Sequence, residues 1–354
     1  MKQASANVTQ EELARKLGFS KSLVSRALAG RPGVNAASRA KILEMAASLN
    51  YPVYKTPTPV RKGEPLTIGI LMADTRWHED LGFWFPIFHG IESEAKAKGW
   101  KLLVSSANPH ESTLPAVIEE RAVSGVILCG VYPPAFVHAV QAAGAVVVLI
   151  DHHDYRISAD CILTNNIHGA QRMTHYLGGL GHERIAFVGD CAYADSFAER
   201  QQGYELGMAD LGMEARALLL PVRFGQNPLE ELEETDILRR ALDGADPPTA
   251  LICGNDILAI NVMRLLNEWG IQVPRDISLT GFDDIQLCSV VPLKLTTMRI
   301  EKHAMGARAV QLLARRIYEN PPAMEEVSLG VSLVIRDSTA PRISGSITEV
   351  TDKL

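Results

Sequence analysis

The sequence predicts an α/β fold, with doubly wound parallel sheets arranged in two lobes and a small helical unit in front of them. Eight short, apolar, β-rich runs follow residue 65, and amphipathic helical stretches separate nearly all of them. Buried strands that alternate with helices are typical of parallel sheets covered on both faces. Eight such strands suit two lobes better than one sheet.

The first fifty residues show helical periodicity instead and predict three short helices. Thr9 and Glu12 have the spacing of a capping box that opens the first helix. Ser20 can cap a second helix, whose apolar stripe leaves its polar side chains facing outward. A third amphipathic stretch begins near Asn35. Together these helices predict a three-helix unit over residues 1–51.

Charge divides the chain near the same boundary. Residues 1–62 hold eleven Lys and Arg residues against three Glu, a formal net charge of +8, whereas the remaining residues carry −14. A basic head on an acidic body indicates that the head faces a polyanion. Charge alone leaves open a basic arm that is merely solvated.

Composition and processing signals limit the class of protein. Apolar residues make up 47% of the chain and charged residues 21%, and no apolar run approaches the roughly 20 residues of a membrane helix. The polar, helix-prone start lacks the pattern of a secretory signal, so we expect a cytoplasmic protein. The five cysteines are scattered without a C-x-x-C spacing and predict buried free thiols.

An enzyme is the first alternative. The run Asp151-His152-His153-Asp154 could suggest a metal or acid–base site. However, it follows a strand end in a loop, no third ligand stands at a helical spacing, and the chain has no G-x-S-x-G, P-loop or G-x-G-x-x-G motif. We therefore expect no catalytic residues, no metal and no cofactor, since the fold class alone is no evidence for catalysis.

Ordered motifs along the chain carry a family resemblance. The head contains LARKLGFSKSLVSRALAGRPGVNAASRAKILEMAASLNY, and the body contains GLGHERIAFVGD, ERQQGYELGM, TALICGNDILAINVMRLLNEWGIQVPRDISLTGFDD, LTTMRI and VIRDSTAP in that order. With these runs the chain resembles the LacI/GalR family of bacterial transcription regulators over almost its entire length.

The resemblance implies a domain organisation with a periplasmic-binding-protein-like body. It implies a helix-turn-helix DNA-binding domain over 1–51, a proline-rich linker over 52–65, an effector-binding two-lobed domain over 66–340 and a polar tail over 341–354. We expect the first lobe to take about 66–163 and 296–324, and the second lobe to take about 164–292 and 325–340.

For DNA, the resemblance places the second helix in the major groove of double-stranded operator DNA. It implies base contacts from Lys21, Ser22 and Arg26, and contacts with the DNA backbone from Thr9, Ser20 and Ser25. Arginine offers a fork for guanine, whereas serine makes a short and weakly discriminating contact. Each of these side chains could instead belong to the solvated face of a surface helix.

The linker departs from the family pattern. In the family this segment folds into a hinge helix on DNA and wedges a leucine into the minor groove. Val60 has that position here, and Pro57 and Pro59 precede it. Because Pro59 disfavours the α conformation at Thr58 and Gly63 follows within about one turn, we predict an extended tether rather than a regular hinge helix.

For the effector, the resemblance implies a cleft between the lobes and a small, sugar-like ligand. Aromatic faces can stack on C–H surfaces while Arg and Asp bond hydroxyls in a closed cleft. Other roles remain open: Asp256 could only cap a helix, Arg200 could only pair with a carboxylate, and Phe83 or Trp84 could be core. The expected contacts are Asp74, His78, Phe83, Trp84, Asn165, Arg200, Phe224 and Asp256.

Together these expectations predict a homodimeric repressor. Two heads related by a two-fold axis would bind two half-sites, and effector binding would change the lobe arrangement and the spacing of the heads. The tail lacks a leucine heptad, so we expect a dimer rather than a tetramer. A solute-binding protein of a transport system is the second alternative, but it would need a signal segment and no basic head.

Overall fold

A computed structural model describes most of the head and body. The described residues are 10–28, 33–48, 64–73, 81–109, 111, 113–120, 122–192, 194–214, 218–222 and 228–342.

The head contains the three predicted helices, which are α1 (Gln10–Leu17), α2 (Lys21–Leu28) and α3 (Ala36–Ser48). Gly18 has a φ of +68°, a value that favours glycine, and it makes the turn between α1 and α2. The Ser20 hydroxyl accepts a hydrogen bond from the Leu23 amide at 3.2 Å and so caps α2. The apolar side chains meet in one small core, made of Leu13, Ala14, Val24, Ala27, Ile42 and Ala46.

The body contains two six-stranded sheets of corresponding strand order. In spatial order the first sheet contains β11 (Glu326–Leu329), β5 (Asp160–Thr164), β4 (Val146–Ile150), β3 (Gly125–Cys129), β1 (Thr67–Ala73) and β2 (Lys101–Ala107). The second contains β12 (Val331–Val334), β10 (Thr296–Ile300), β9 (Ser278–Asp283), β8 (Ala250–Cys253), β6 (Ile185–Val188) and β7 (Leu218–Leu220). Neighbouring strands are parallel except β10 and β12, which confirms the predicted α/β class.

Helices cover these sheets. They are α4 (Leu81–Ala97), α5 (Ala116–Glu119), α6 (Pro134–Ala142), α7 (Asn166–Gly179), α8 (Asp195–Asp210), α9 (Pro228–Leu242), α10 (Asp256–Glu268), α11 (Leu287–Val290) and α12 (Lys302–Glu319). Among the helices of the described residues, none combines the length and apolarity required to cross a membrane.

The helices α4 and α12 cross at two glycines. A Cβ atom at Gly90 would lie 2.0 Å from the His303 carbonyl oxygen, and one at Gly306 would lie 2.0 Å from the Ile87 carbonyl oxygen. Only glycine permits such an approach of two backbones. The crossing holds α12 against the first lobe.

The chain crosses between the lobes three times, between β5 and α7, between β10 and α12, and between β11 and β12. The first and third crossings are joined, because the Asn165 amide donates to the Leu329 carbonyl oxygen at 2.9 Å. Three connections side by side make a hinge about which two lobes can close.

The predicted lobe boundaries are wrong near the C-terminal part of the body. The sequence predicts that residues 296–324 belong to the first lobe and residues 325–340 to the second. Instead, β10 lies beside β9 in the second sheet, and β11 lies beside β5 in the first sheet. The eight predicted strands correspond to β1, β2, β3, β4, β6, β7, β8 and β9, so the prediction did not include β5, β10, β11 and β12. No helix separates β4 from β5 or β11 from β12, and only the four-residue α11 precedes β10, so the βα alternation did not reveal these strands.

Candidate functional site

A cavity with a volume of about 660 Å³ lies between the two lobes. Asp151 follows β4, Asn255 follows β8 and Asp283 ends β9, so the cavity lies at the carboxyl ends of strands from both sheets. Ligands of open parallel sheets bind at these ends, and the volume suits a small molecule. The lining includes Phe83, Trp84, Val131, Tyr132, Asp151, His152, Asp154 and Arg156 of the first lobe, and Asp195, Phe197, Arg200, Asn255 and Asp283 of the second lobe.

Aromatic rings form much of the first lobe's wall. Phe83 and Trp84 lie in the first turn of α4, and their rings meet edge to face with centroids 5.0 Å apart and planes at 89°. Tyr132 stacks on Phe136 with centroids 5.1 Å apart. Phe83 is buried and Trp84 is half-buried, so the pair belongs to the core and to the cavity wall at once.

Arg200 of α8 is the centre of the second lobe's wall. Its guanidinium donates to the Asp283 carboxylate at 3.0 Å, to the Asn166 side-chain oxygen at 2.9 Å and to the Gly254 carbonyl oxygen at 2.6 Å. The same group lies over the Phe282 ring, 4.0 Å from its centroid. Because only 3% of Arg200 is exposed, these contacts hold the guanidinium in one orientation at the cavity.

Asp283 connects this network to the hinge. Its φ of 113° is strained for a residue other than glycine, and such strain concentrates at functional sites. The ammonium group of Lys302, at the start of α12, donates to the carbonyl oxygens of Asp283 and Asp284. Burial raises the pKa of the Asp283 carboxyl, and Arg200 and Lys302 oppose that rise. The network therefore reaches from the cavity of the second lobe to the first helical turn of the first lobe's α12.

The loop after β4 carries a second polar group into the cavity. His152 is buried, with Nε2 3.2 Å from the Tyr132 carbonyl oxygen and Nδ1 3.5 Å from the Asp195 carboxylate of α8. Burial lowers the pKa of His152, and Asp195 opposes that effect. Asp154 pairs with Arg156 at 2.5 Å, and this hydrogen bonding holds the pKa of the Asp154 carboxyl well below its usual range.

The exposed side of α2 is the second candidate surface. Lys21, Ser22 and Arg26 are all exposed, while Val24 and Ala27 are buried in the head core. The Arg26 guanidinium donates to the Ser22 carbonyl oxygen at 3.3 Å. A short helix with its polar side chains outward has the form of a helix that can enter a groove of DNA.

The chain is similar to known transcription regulators. A model of the periplasmic binding protein-like domain matches residues 174–339. The HTH-type transcriptional regulator MalR of Streptomyces coelicolor is 28% identical over 340 residues, covering 93% of this chain and 96% of the relative. The HTH-type transcriptional repressor PurR of Histophilus somni is 24% identical over 335 residues, covering 93% of this chain and 98% of the relative.

Solved structures of transcription regulators are also similar to this chain. A LacI family transcriptional regulator from Enterococcus faecium, with bound ribose, has a TM-score of 0.67 and 26% identity, covering 78% of this chain and 100% of that chain. A lac repressor dimer bound to operator has a TM-score of 0.62 and 25% identity, covering 95% of this chain and 100% of that chain. Along almost its whole length, the chain is similar to transcriptional regulators of the LacI family. The expected likeness to the LacI family and the class of regulator rather than enzyme are confirmed by these relatives.

Three of the expected effector contacts line the cavity, namely Phe83, Trp84 and Arg200. The alternative considered for Arg200 also holds, since it pairs with Asp283. Asp74, His78 and Phe224 lie outside the described residues, as do Thr9, Val60, the Ser25 side chain and the predicted tether at residues 56–62.

Asp256 is not a lining residue, which corrects the sequence-based expectation. It is fully buried and accepts hydrogen bonds from the Thr297 hydroxyl at 2.5 Å and the Ile285 amide at 2.9 Å. Burial, with a smaller effect of Asp283, raises the pKa of Asp256 to about 7. Its neighbour Asn255 lines the cavity and caps α10, because it accepts from the Leu258 amide at 2.9 Å. Asp256 instead joins α10 to β10.

Asn165 is likewise absent from the lining. Its side-chain oxygen accepts from the His168 amide at 3.3 Å and caps α7, while its backbone joins two of the crossings between the lobes. The residue therefore belongs to the hinge between the two lobes.

Sequence reasoning missed several cavity residues. Asp151 and Asp283 end apolar strands, and the rule that ligands bind at strand carboxyl ends could have found both. Asn255 stands one residue before the expected Asp256. For Asp195, which opens α8, no local pattern separates a cavity contact from an ordinary acidic first turn of a helix.

Proposed function

We propose that this LacI-family regulator is a sequence-specific, cytoplasmic, homodimeric repressor whose affinity for operator DNA is switched by a small, sugar-like effector in the cleft. The observation that carries the proposal is the cavity between two lobes that the chain crosses three times. A ligand held by both lobes prefers one lobe arrangement over another, which is the requirement for a switch.

The cavity's chemistry supports a sugar. Trp84 offers an aromatic surface for C–H groups, and Arg200, Asn255 and Asp283 offer donors and acceptors in fixed positions for hydroxyls. Two similar proteins support the same class of ligand, since one is a LacI-family regulator with bound ribose and another is the regulator CelR in a complex with cellobiose.

The α2 surface supports DNA binding. Arg26 can present two donors to guanine in the major groove, while Lys21 adds a positive charge near phosphates or base edges. One head is small, so two heads on two half-sites would supply the affinity. The similar lac repressor was solved as a dimer on its operator, in keeping with this arrangement.

The hinge supports a route from effector to DNA. Lys302 begins α12 of the first lobe. Its ammonium group donates to the carbonyl oxygens of Asp284 and of Asp283, which lines the cavity. A change in lobe angle would therefore move α12 and the first lobe, from which the linker leaves at residue 65. In a dimer, that movement would change the spacing of the two heads and mismatch them with their half-sites.

The experiment is fluorescence-anisotropy binding to a genome-selected operator and to random DNA over a salt series. We expect wild type to prefer the operator with a steep salt dependence, and Arg26→Ala to lose about 10- to 100-fold of operator affinity while keeping most of its weak binding to random DNA. Arg264→Ala is the matched control, because this exposed arginine lies on α10 of the body. Equal, weak binding of wild type to both DNAs would contradict the proposed readout by α2.

A further inference from the structure

His152 and Asp195 approach each other from different lobes. His152 follows β4 of the first lobe, and Asp195 opens α8 of the second lobe. Nδ1 of His152 lies 3.5 Å from Oδ2 of Asp195, and both residues line the cavity. The histidine is 6% exposed, whereas the Asp195 side chain is 62% exposed. The pair therefore places a buried imidazole beside an accessible carboxylate.

The hydrogen bonding of His152 defines which nitrogen carries the proton. Nε2 is 3.2 Å from the Tyr132 carbonyl oxygen. A carbonyl oxygen can only accept, so Nε2 is the donor, and Nδ1 of the neutral ring is an acceptor. Within the described part of the chain, Nδ1 has no hydrogen-bond partner. Two acceptors thus face each other, and a buried acceptor without a donor is costly.

The charges of the described lining point to the class of ligand. It contains four carboxylates and two guanidinium groups, and each guanidinium is paired, Arg156 with Asp154 and Arg200 with Asp283. With His152 neutral, the formal charge of these residues is −2. An anionic ligand such as a phosphorylated sugar would be repelled, whereas a neutral ligand rich in hydroxyl donors would not.

We propose that His152 and Asp195 form a second recognition point of the cleft, where two adjacent hydroxyls of an uncharged, unphosphorylated polyol donate to Nδ1 and to the carboxylate. This inference rests on the proposed effector role of the cleft and narrows its ligand class. One diol bound to both residues ties the two lobes together. It does so independently of the network around Arg200.

The same geometry makes ligand binding depend on pH. The charged and titratable groups that act on His152 are Asp195 from α8 and Asp154 and His153 from its own loop, and burial outweighs the two carboxylates. The ring is therefore neutral near pH 7.5 and accepts from the ligand. When the pH falls, a proton on Nδ1 pairs with Asp195 directly and takes the place of the ligand's donor. Affinity for the polyol accordingly decreases on acidification.

The test is isothermal titration calorimetry on the full chain with matched probes, namely ribose, glucose and cellobiose against ribose 5-phosphate and glucose 6-phosphate. We expect at least one neutral sugar to bind, at least tenfold more tightly than its phosphorylated form, and more weakly at pH 5.5 than at pH 7.5. Asp195→Asn supplies a donor to Nδ1 from within the protein, and His152→Leu removes the acceptor. Each should weaken binding about tenfold.

Controls separate the possible failures. Asp236→Asn, an equally conservative change at an exposed ion pair on α9, should leave binding unchanged. If a neutral sugar binds wild type and both cleft variants equally, the role of His152 and Asp195 is wrong while the effector cleft stands. If a phosphorylated sugar binds more tightly than its neutral form, the ligand class is wrong. If no probe binds wild type, the proposed sugar effector fails, and this inference with it.

A measurement on the wild-type protein without ligand tests the proposal even if a cleft variant misfolds. Long-range ¹H–¹⁵N correlation spectra of the wild-type imidazoles report the tautomer of each histidine, and His152→Asn identifies the resonance by its loss. We expect a neutral ring protonated at Nε2 at pH 7.5. A ring protonated at Nδ1, or an imidazolium, at that pH would overturn the proposal.

Discussion

The two lobes have corresponding sheet orders yet line the cleft differently. The first lobe presents the aromatic residues Phe83, Trp84 and Tyr132, whose rings pack on their own lobe. The second lobe presents Arg200 and Asp283, whose polar groups are bound to each other and to the backbone. One wall thus offers contact area and the other offers oriented hydrogen-bonding groups.

A rigid polar wall requires a partner for each of its buried charged groups. A buried guanidinium and carboxylate are costly to desolvate, and only well-formed partners compensate that cost. Arg200 has three such partners, and Asp283 also lies within reach of the charge of Lys302. The aromatic wall needs no such network, because its rings gain from burial itself. Substitutions in the two walls should therefore have different consequences.

The largest effect is expected for Arg200→Leu. This change leaves the Asp283 carboxylate buried beside Asp256 without its main partner. The loss of that partner should lower the free energy of unfolding by about 3–5 kcal/mol. Urea unfolding of both proteins measures the difference. Arg240→Leu, at an exposed ion pair with Asp236, is the control and should cost below about 1 kcal/mol. A loss for Arg200→Leu as small as that of the control would refute the structural role of the polar wall.

The second largest effect is expected for Asp256→Ala, which should lower the free energy of unfolding by about 3 kcal/mol, because the Ile285 amide and the Thr297 hydroxyl each lose their acceptor. Thermal unfolding at pH 5, where the Asp256 carboxyl is still protonated because of its raised pKa, measures this loss. Effector affinity should fall far less than stability, since Asp256 does not line the cavity. A variant of normal stability that no longer binds any effector would restore Asp256 as a ligand contact.

The raised pKa of Asp256 also makes the stability of the folded chain depend on pH. Its pKa is about 7 in the folded chain and about 3.9 when unfolded, so the folded state binds the proton more tightly. The contribution of Asp256 to stability is therefore present at low pH and is lost as the pH rises through about 7. Between pH 5 and pH 8, melting temperatures of Asp256→Asn should decrease less with rising pH than those of wild type. Parallel curves would show that the carboxyl does not titrate in this range.

A smaller effect is expected in the aromatic wall. Trp84→Leu removes an aromatic surface from the cavity but keeps an apolar side chain, so effector affinity should fall about tenfold while stability falls by about 1 kcal/mol. Calorimetry with a bound sugar and urea unfolding measure the two quantities. A variant that loses stability but keeps full affinity would make Trp84 a core residue only.

The smallest effect concerns His152 in the absence of effector. Burial lowers its pKa in the folded chain, so the unfolded chain binds the proton more tightly. Stability from this residue is present above about pH 6.5 and is lost as the pH falls through the lowered value. His152→Asn should flatten the acid side of the stability curve. A steeper acid limb in the variant would contradict the sign.

Local sequence was sufficient to predict the three head helices, most strands of the body and the division into a head and two lobes. Ser20 caps α2 as expected from its position before an apolar stripe, and the βα alternation predicted parallel sheets in two lobes. Arg200 also lies in the cleft as expected. These features follow from capping, periodicity and charge, each of which acts over a few neighbouring residues.

Contacts between distant segments of the chain set which lobe holds each returning strand and which polar side chain reaches the cavity. The strand β10 pairs with β9 and β11 pairs with β5, and such pairing between distant segments leaves no local signal. Asn255 lines the cavity while the next residue, Asp256, is buried, because successive residues at a helix start point in different directions. His152 and Asp195 likewise meet only because two lobes fold toward one cleft.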